Sequence, residues 1–118
     1  MFRRILGRQA EDIALVFLKK RGFKIIDRNF RCRLGEIDIV AVDGREFVFV
    51  EVRSSNNSMF NDPSESITGF KINRLRNLAL FWFNVHNAQD YRMRFDVIAI
   101  VFNREAKGVE INHIKAAF

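Results

Sequence analysis

The stretch from Gly35 to Arg53, G-E-I-D-I-V-A-V-D-G-R-E-F-V-F-V-E-V-R, constrains the fold of this chain more than any other. Two runs rich in Val, Ile and Phe flank Asp43-Gly44, a strong turn signal, so the segment reads as a β-hairpin. Acids interrupt both strands: Asp38 sits amid Ile37, Ile39, Val40 and Val42, and Glu51 sits between Val50 and Val52. A carboxylate in a half-buried sheet is unfavourable unless it is paired or bound to a cation. If Asp43 to Glu46 form a four-residue loop, Asp38 lies opposite Glu51. A two-residue loop puts Asp38 opposite Phe49 and Glu36 opposite Glu51. In both registers Glu36, Asp38, Glu51 and Arg53 share one face, which predicts a carboxylate cluster with Arg53 beside it.

The rest of the chain supplies layers to pack against that hairpin. Ala10, Ile13, Ala14, Phe17 and Leu18 recur at helical spacing between Arg8 and Lys20, and Gly22 is a stop signal. Glu11 rides on this apolar stripe or its edge, whereas Asp12 falls on the solvent side. Glu11 either serves the helix N-terminus electrostatically or reaches the acids of the hairpin. Phe23, Ile25 and Ile26 begin a strand that leads into Arg28, Arg31 and Arg33. Arg31 and Arg33 should project together, as a phosphate clamp or as the charged rim of an edge strand.

Ser54 to Thr68 is polar and reads as a long loop. A second helix runs from about Gly69 to His86, with Thr68 as N-cap. Its buried face is Ile72, Leu75, Leu78, Ala79, Trp82 and Val85; Asn73, Arg74, Arg76 and Asn77 face out. Lys71 lies in line with the core face. It either snorkels to solvent or reaches the carboxylate cluster. Arg92 to Asn103 is β-prone, with Ile98 to Val101 apolar without alternation, as in a strand buried on both sides. Asp96 within it pairs with Arg94. An edge strand from about Val109 to Lys115 ends the chain, and His86 and His113 read as surface residues. The expected architecture is α/β, a mixed sheet flanked by helices in the order α-β-β-β-α-β-β, in one domain over residues 1–118.

Charge narrows the partners. The net charge is +6, and Arg supplies 14 of the 20 basic residues. Arg suits planar, bidentate recognition of phosphate, so nucleic acid is the expected partner, with Arg28, Arg31, Arg33 and the outward-facing Arg74 as contacts. A single cysteine, Cys32, excludes an internal disulfide and reads as a strand-packing thiol in a reducing compartment. No signal peptide or membrane span is legible, so a cytoplasmic location is expected.

The chemistry of the constellation is that of a hard cation. Mg²⁺ (or Mn²⁺) takes one or two carboxylates and keeps several waters; Asp38 and Glu51 would hold it, and the carbonyl of Val52 could add a ligand. Such an ion polarises a phosphodiester and acidifies a water, while Arg53 or Lys71 stabilises developing charge. Arg is a poor general base because its guanidinium keeps its proton. Lys71 is then the only nearby candidate for a base.

Asp38 with Glu51-Val52-Arg53 resembles the PD-(D/E)xK motif of restriction-endonuclease-like nucleases. The chain as a whole resembles the YraN-type family of uncharacterised bacterial endonuclease-like proteins. The matching features are Gly7 and Glu11 in the first helix, Gly22-Phe23, Arg28-Asn29-Phe30-Arg31, Gly35-Glu36-Ile37-Asp38, Phe49-Val50-Glu51-Val52, Lys71, and Arg94-Phe95-Asp96-Val97. The resemblance implies a restriction-endonuclease-like fold related to Holliday-junction resolvases. It also implies metal binding by Asp38 and Glu51, with Glu11 joining through water or at an adjacent site. The motif expects Lys where Arg53 stands and a second basic residue where Ser55 stands. The expected function is a metal-dependent nuclease acting on structured or branched DNA, with DNA favoured over RNA. The alternative is a nucleic-acid-binding module that does not cut. A homodimer is compatible with either.

Overall fold

Residues 2–55, 69–88, 91–103 and 108–118 are described by a computed structural model. The elements are α1 (Phe2–Lys20), β1 (Lys24–Cys32), β2 (Gly35–Asp43), β3 (Glu46–Ser55), α2 (Gly69–His86), β4 (Arg92–Asn103) and β5 (Gly108–Ile114). This is the expected α-β-β-β-α-β-β order. The five strands form one mixed sheet in sequence order, antiparallel at β1/β2, β2/β3 and β4/β5 and parallel at β3/β4. A parallel pair requires a crossover connection, and α2 lies within it.

The two helices cover opposite faces. Ala10, Ala14 and Leu18 of α1 pack on Ile39, Ala41, Val48, Val50, Ile98 and Ile100. Leu75, Leu78, Ala79, Trp82 and Phe83 of α2 pack on Ile37, Val40, Phe47, Phe49 and Phe95. Alternation along β3 accounts for the division, sending Phe47 and Phe49 to the α2 side and Val48, Val50 and Val52 to the α1 side. Val97 to Val101 of β4 are all buried, as their unalternating pattern predicts.

α1 stops in a Schellman motif. Gly22 takes φ 88°, the Phe23 N–H donates to the Leu18 carbonyl, and the Gly22 N–H donates to that of Lys19. α2 closes similarly through Asn87, at φ 52°, with the Ala88 N–H on the Phe83 carbonyl. The β2–β3 ladder pairs Val42 with Phe47 and Ile39 with Val50, the register that places Asp38 opposite Glu51. Asp43 and Glu46 are themselves paired, so the turn proper is Gly44-Arg45.

Five expectations need correction. α1 begins at Phe2, about two turns earlier than its apolar periodicity indicates. On α2, Phe83 is buried and Val85 is 57% exposed. Phe83 finds Phe47 and Phe49 beneath it, a contact invisible from helical periodicity. Arg33 lies in the turn between β1 and β2 and does not project with Arg31, because the strand ends at Cys32.

The fourth correction concerns His113, whose side chain is only 8% exposed. Its Nε2 lies 2.8 Å from Asp96 Oδ2, and its ring packs edge-on against Phe17 and Phe23. Asp96, fully buried, also accepts both Arg94 Nε and Nη2 at 2.9 Å and the Ala116 N–H at 3.0 Å. Burial opposes its ionisation. His113, Arg94 and the Ala116 N–H outweigh that and hold its carboxyl below the usual carboxylate range. The expected loop begins within β3, which includes Ser54 and Ser55. Residues 56–68, including the expected Thr68 cap, lie outside the described residues.

Candidate metal centre

The site forms where the hairpin departs from regular β geometry. Ile39 and Ala41 face α1, whereas Ile37 faces α2. Residues two apart on an ordinary strand share a face, so β2 inverts at Asp38. β1 inverts opposite it: Arg28 reaches Glu11 and Asp12 on α1, while Phe30 packs on the α2 side. Arg28 pairs with Ile39 and Phe30 with Ile37. Asn29 falls between them opposite Asp38, at φ 55°.

This inversion overturns the expectation that Glu36, Asp38, Glu51 and Arg53 share a face. Carboxylate oxygens of Glu11, Glu36 and Asp38 lie within 4.8 Å of one another, at the α1 side of the sheet. Glu51 pairs with α2, its Oε1 2.7 Å from Lys71 Nζ, and its charge is still the largest acidic influence on Asp38. Lys71 therefore reaches a carboxylate, as one sequence reading expects. Glu11 lies mid-helix, far beyond the first turn in which a helix dipole acts, so the N-terminal electrostatic reading does not apply.

Asp38 is the electrostatic centre. Burial, then the neighbouring Glu51 charge, then Glu11 and Glu36 push its pKa from 3.8 up to about 7, against the lowering effect of the Val52 N–H. That N–H donates to Asp38 Oδ2 at 2.8 Å. A strand residue's N–H and C=O point to the same side, which aims the Val52 carbonyl toward the same gap between β2 and β3. Arg53 follows two residues after Glu51 and is half-buried, with its Nε fully enclosed.

Of the other arginines expected at the site, Arg28 and Arg31 border the cluster. Arg28 Nη2 bonds Asp12 at 2.5 Å and stands 3.7 Å from Glu11. Arg31 Nε stands 3.4 Å from Glu36. Arg33 and Arg74 are exposed, and Arg74 runs past Gly35, with its Cδ and Nε 3.9 Å from where a Cβ there would stand.

Three carboxylates at this spacing are the hard oxygen donors that Mg²⁺ or Mn²⁺ takes. A carboxyl held near pH 7 by burial and by its acidic neighbours would ionise readily if a cation replaced its proton. The residues present thus fit a divalent ion. Sequence reasoning places Glu36 near Asp38 without a ligand role, and gives Asn29 no role beyond its place in the matching Arg28 to Arg31 stretch. The available signal was an Asn inside a strand, a residue type enriched at positive φ.

Comparison with known proteins agrees with the resemblance. A family model described as "Uncharacterised protein family UPF0102" matches residues 10–100, a span that includes Glu11, Asn29, Glu36, Asp38, Glu51 and Lys71. A UPF0102 protein of Geotalea daltonii is 49% identical over 113 residues, covering 96% of this chain and 88% of its own. One from Caldicellulosiruptor saccharolyticus is 42% identical over 118 residues, the full length of both. One from Moorella thermoacetica is 42% identical over 118 residues, covering 100% of this chain and 98% of its own. With the family model spanning the whole carboxylate cluster and relatives matching nearly end to end, the chain belongs to the UPF0102 family.

Proposed function

We propose that this protein is a divalent-cation-dependent nuclease acting on structured or branched DNA. The observation that carries the reading is the convergence of Glu11, Glu36 and Asp38 from a helix and a strand, with Asp38 displaced far from its ordinary pKa. A carboxyl displaced by burial and by specific charged neighbours is a functional-site candidate. Glu11, Glu36 and Asp38 would hold Mg²⁺ or Mn²⁺. Bound there, the ion would polarise a phosphodiester and lower the pKa of an attacking water.

The chain's own groups do the rest. The Val52 N–H fixes one Asp38 oxygen and leaves the other for a ligand. Lys71 holds Glu51 in check, and its ammonium and Arg53 supply positive charge beside the cluster for a phosphate in its transition state. Arg28, Arg31, Arg33 and Arg74 offer phosphate contacts around the rim, consistent with the +6 net charge. A specific observation favours a second reading, a binding module that does not cut. Arg53 replaces the motif's Lys, and Lys71, the remaining amine, is ion-paired with Glu51.

The test is cleavage of four-way junction, flap, single-stranded and linear duplex DNA with Mg²⁺ or Mn²⁺, with Asp38→Asn as control. Metal-dependent cutting of a branched substrate that Asp38→Asn abolishes supports the nuclease. Salt-sensitive binding without cutting, unchanged in Asp38→Asn, supports the binding module.

A further inference from the structure

We propose that Asn29 is a positioning residue of the carboxylate cluster, a neutral clamp that holds Glu11 and Glu36 together without cancelling their charge. The inference rests on the divalent-cation reading and deepens it. Asn29 is a non-glycine at φ 55° in the middle of a nine-residue strand. Left-handed backbone is unfavourable for an L-residue, and Asn tolerates it better than most. The conformation has a consequence: it sends Arg28 to the α1 side and Phe30 to the α2 side, opposite the same inversion at Asp38.

The side chain uses the position. With the amide oriented by its hydrogen-bonding surroundings, its nitrogen lies 3.2 Å from Glu11 Oε1, 3.2 Å from Glu11 Oε2 and 3.2 Å from Glu36 Oε1. Ionised carboxylates only accept hydrogen bonds, so the NH₂ faces them and its two hydrogens bridge an α1 residue to a β2 residue. Two carboxylates this close repel. A lysine or arginine in their midst would relieve the repulsion but compete with a metal ion for the same oxygens. The cations that do approach stay on the outer oxygens: Arg28 bonds Asp12 at 2.5 Å and stands 3.7 Å from Glu11, and Arg31, largely exposed, stands 3.4 Å from Glu36. An amide sets the spacing and leaves the negative charge to the ion.

The experiment is Mn²⁺ binding, followed by the electron paramagnetic resonance of the free ion, to the full chain as wild type and as Asn29→Gly. Glycine keeps the left-handed backbone and deletes only the amide. Asn29→Gly is expected to bind Mn²⁺ about 10- to 100-fold more weakly, the usual effect of losing an outer-shell partner, with an unchanged far-UV circular dichroism spectrum. Wild-type affinity in Asn29→Gly overturns the positioning role and leaves the cation reading standing. Absence of Mn²⁺ binding by the wild type overturns the cation reading itself. A second measurement needs no variant. The side-chain NH₂ resonances of Asn29 in ¹⁵N-labelled wild type should shift during a Mg²⁺ titration in step with occupancy. Resonances that stay fixed at saturation overturn the proposal.

Discussion

Replacing Asp38 by Asn should stabilise the metal-free protein, and by an amount that depends on pH. The folded chain holds the Asp38 proton up to about pH 7, whereas the unfolded chain releases it near 3.8. A carboxyl whose folded pKa is raised makes stability fall as pH climbs through that interval. At about 1.4 kcal/mol per pH unit, the interval corresponds to about 4 kcal/mol once the pH exceeds 7. Asparagine keeps an oxygen for the Val52 N–H, which now serves Asp38 Oδ2, and carries no charge to desolvate. Urea unfolding in EDTA should show Asp38→Asn ahead of wild type by about 2 kcal/mol at pH 5 and about 4 kcal/mol at pH 8. Mg²⁺ at a hundredfold excess over its dissociation constant should return about 2.7 kcal/mol to the wild type and little to the variant. A stability difference that stays flat from pH 5 to pH 8 would refute the reasoning, since no proton would then be linked to folding at this site.

Other perturbations separate the site from the scaffold. Lys71→Met leaves Glu51 half-buried without its 2.7 Å partner; a loss of about 1–3 kcal/mol in urea unfolding is expected, partly recovered by adding Glu51→Gln. Asp96→Asn strips charge from a fully buried group that Arg94, His113 and the Ala116 N–H all address, and should destabilise by about 3–5 kcal/mol at pH 7. Because the Asp96 pKa is lowered, its contribution is present above the usual carboxylate range and lost on acidification, so wild-type acid unfolding should sharpen below about pH 4. Gly22→Ala strains only the backbone, as nothing lies within 4 Å of the added Cβ, and should cost about 1–2 kcal/mol by thermal melting. Gly35→Ala should cost more, since its Cβ would meet Leu78 Cδ1 at 3.3 Å with φ at 137°.

Much of the fold is written in local patterns. Asp43-Gly44 between Val- and Phe-rich runs announces the hairpin, and one of its two sequence-compatible registers is the one formed. Ile98 to Val101, apolar without a break, announce a strand covered on both sides. The position of Lys71 in line with Leu75 and Leu78 offers two outcomes, snorkelling to solvent or reaching the acids, and the second is the one formed. What stayed hidden depends on contacts between distant segments or on one backbone torsion. Periodicity assumes that a strand alternates throughout, so the inversion at Asn29 and Asp38 could not be foreseen, nor could the transfer of Glu36 to the side of Glu11. His113 reads as a surface residue until Asp96, seventeen positions earlier, is found beneath it. An acid within a buried strand is the available clue, but in the sequence Arg94, two positions away, accounts for it alone.

Anomalous diffraction from crystals soaked in Mn²⁺ addresses the central claim most directly. The account predicts one peak bounded by carboxylate oxygens of Glu11, Glu36 and Asp38, lost in Asp38→Asn. Well-ordered crystals with no peak among those three residues at saturating Mn²⁺ would contradict it.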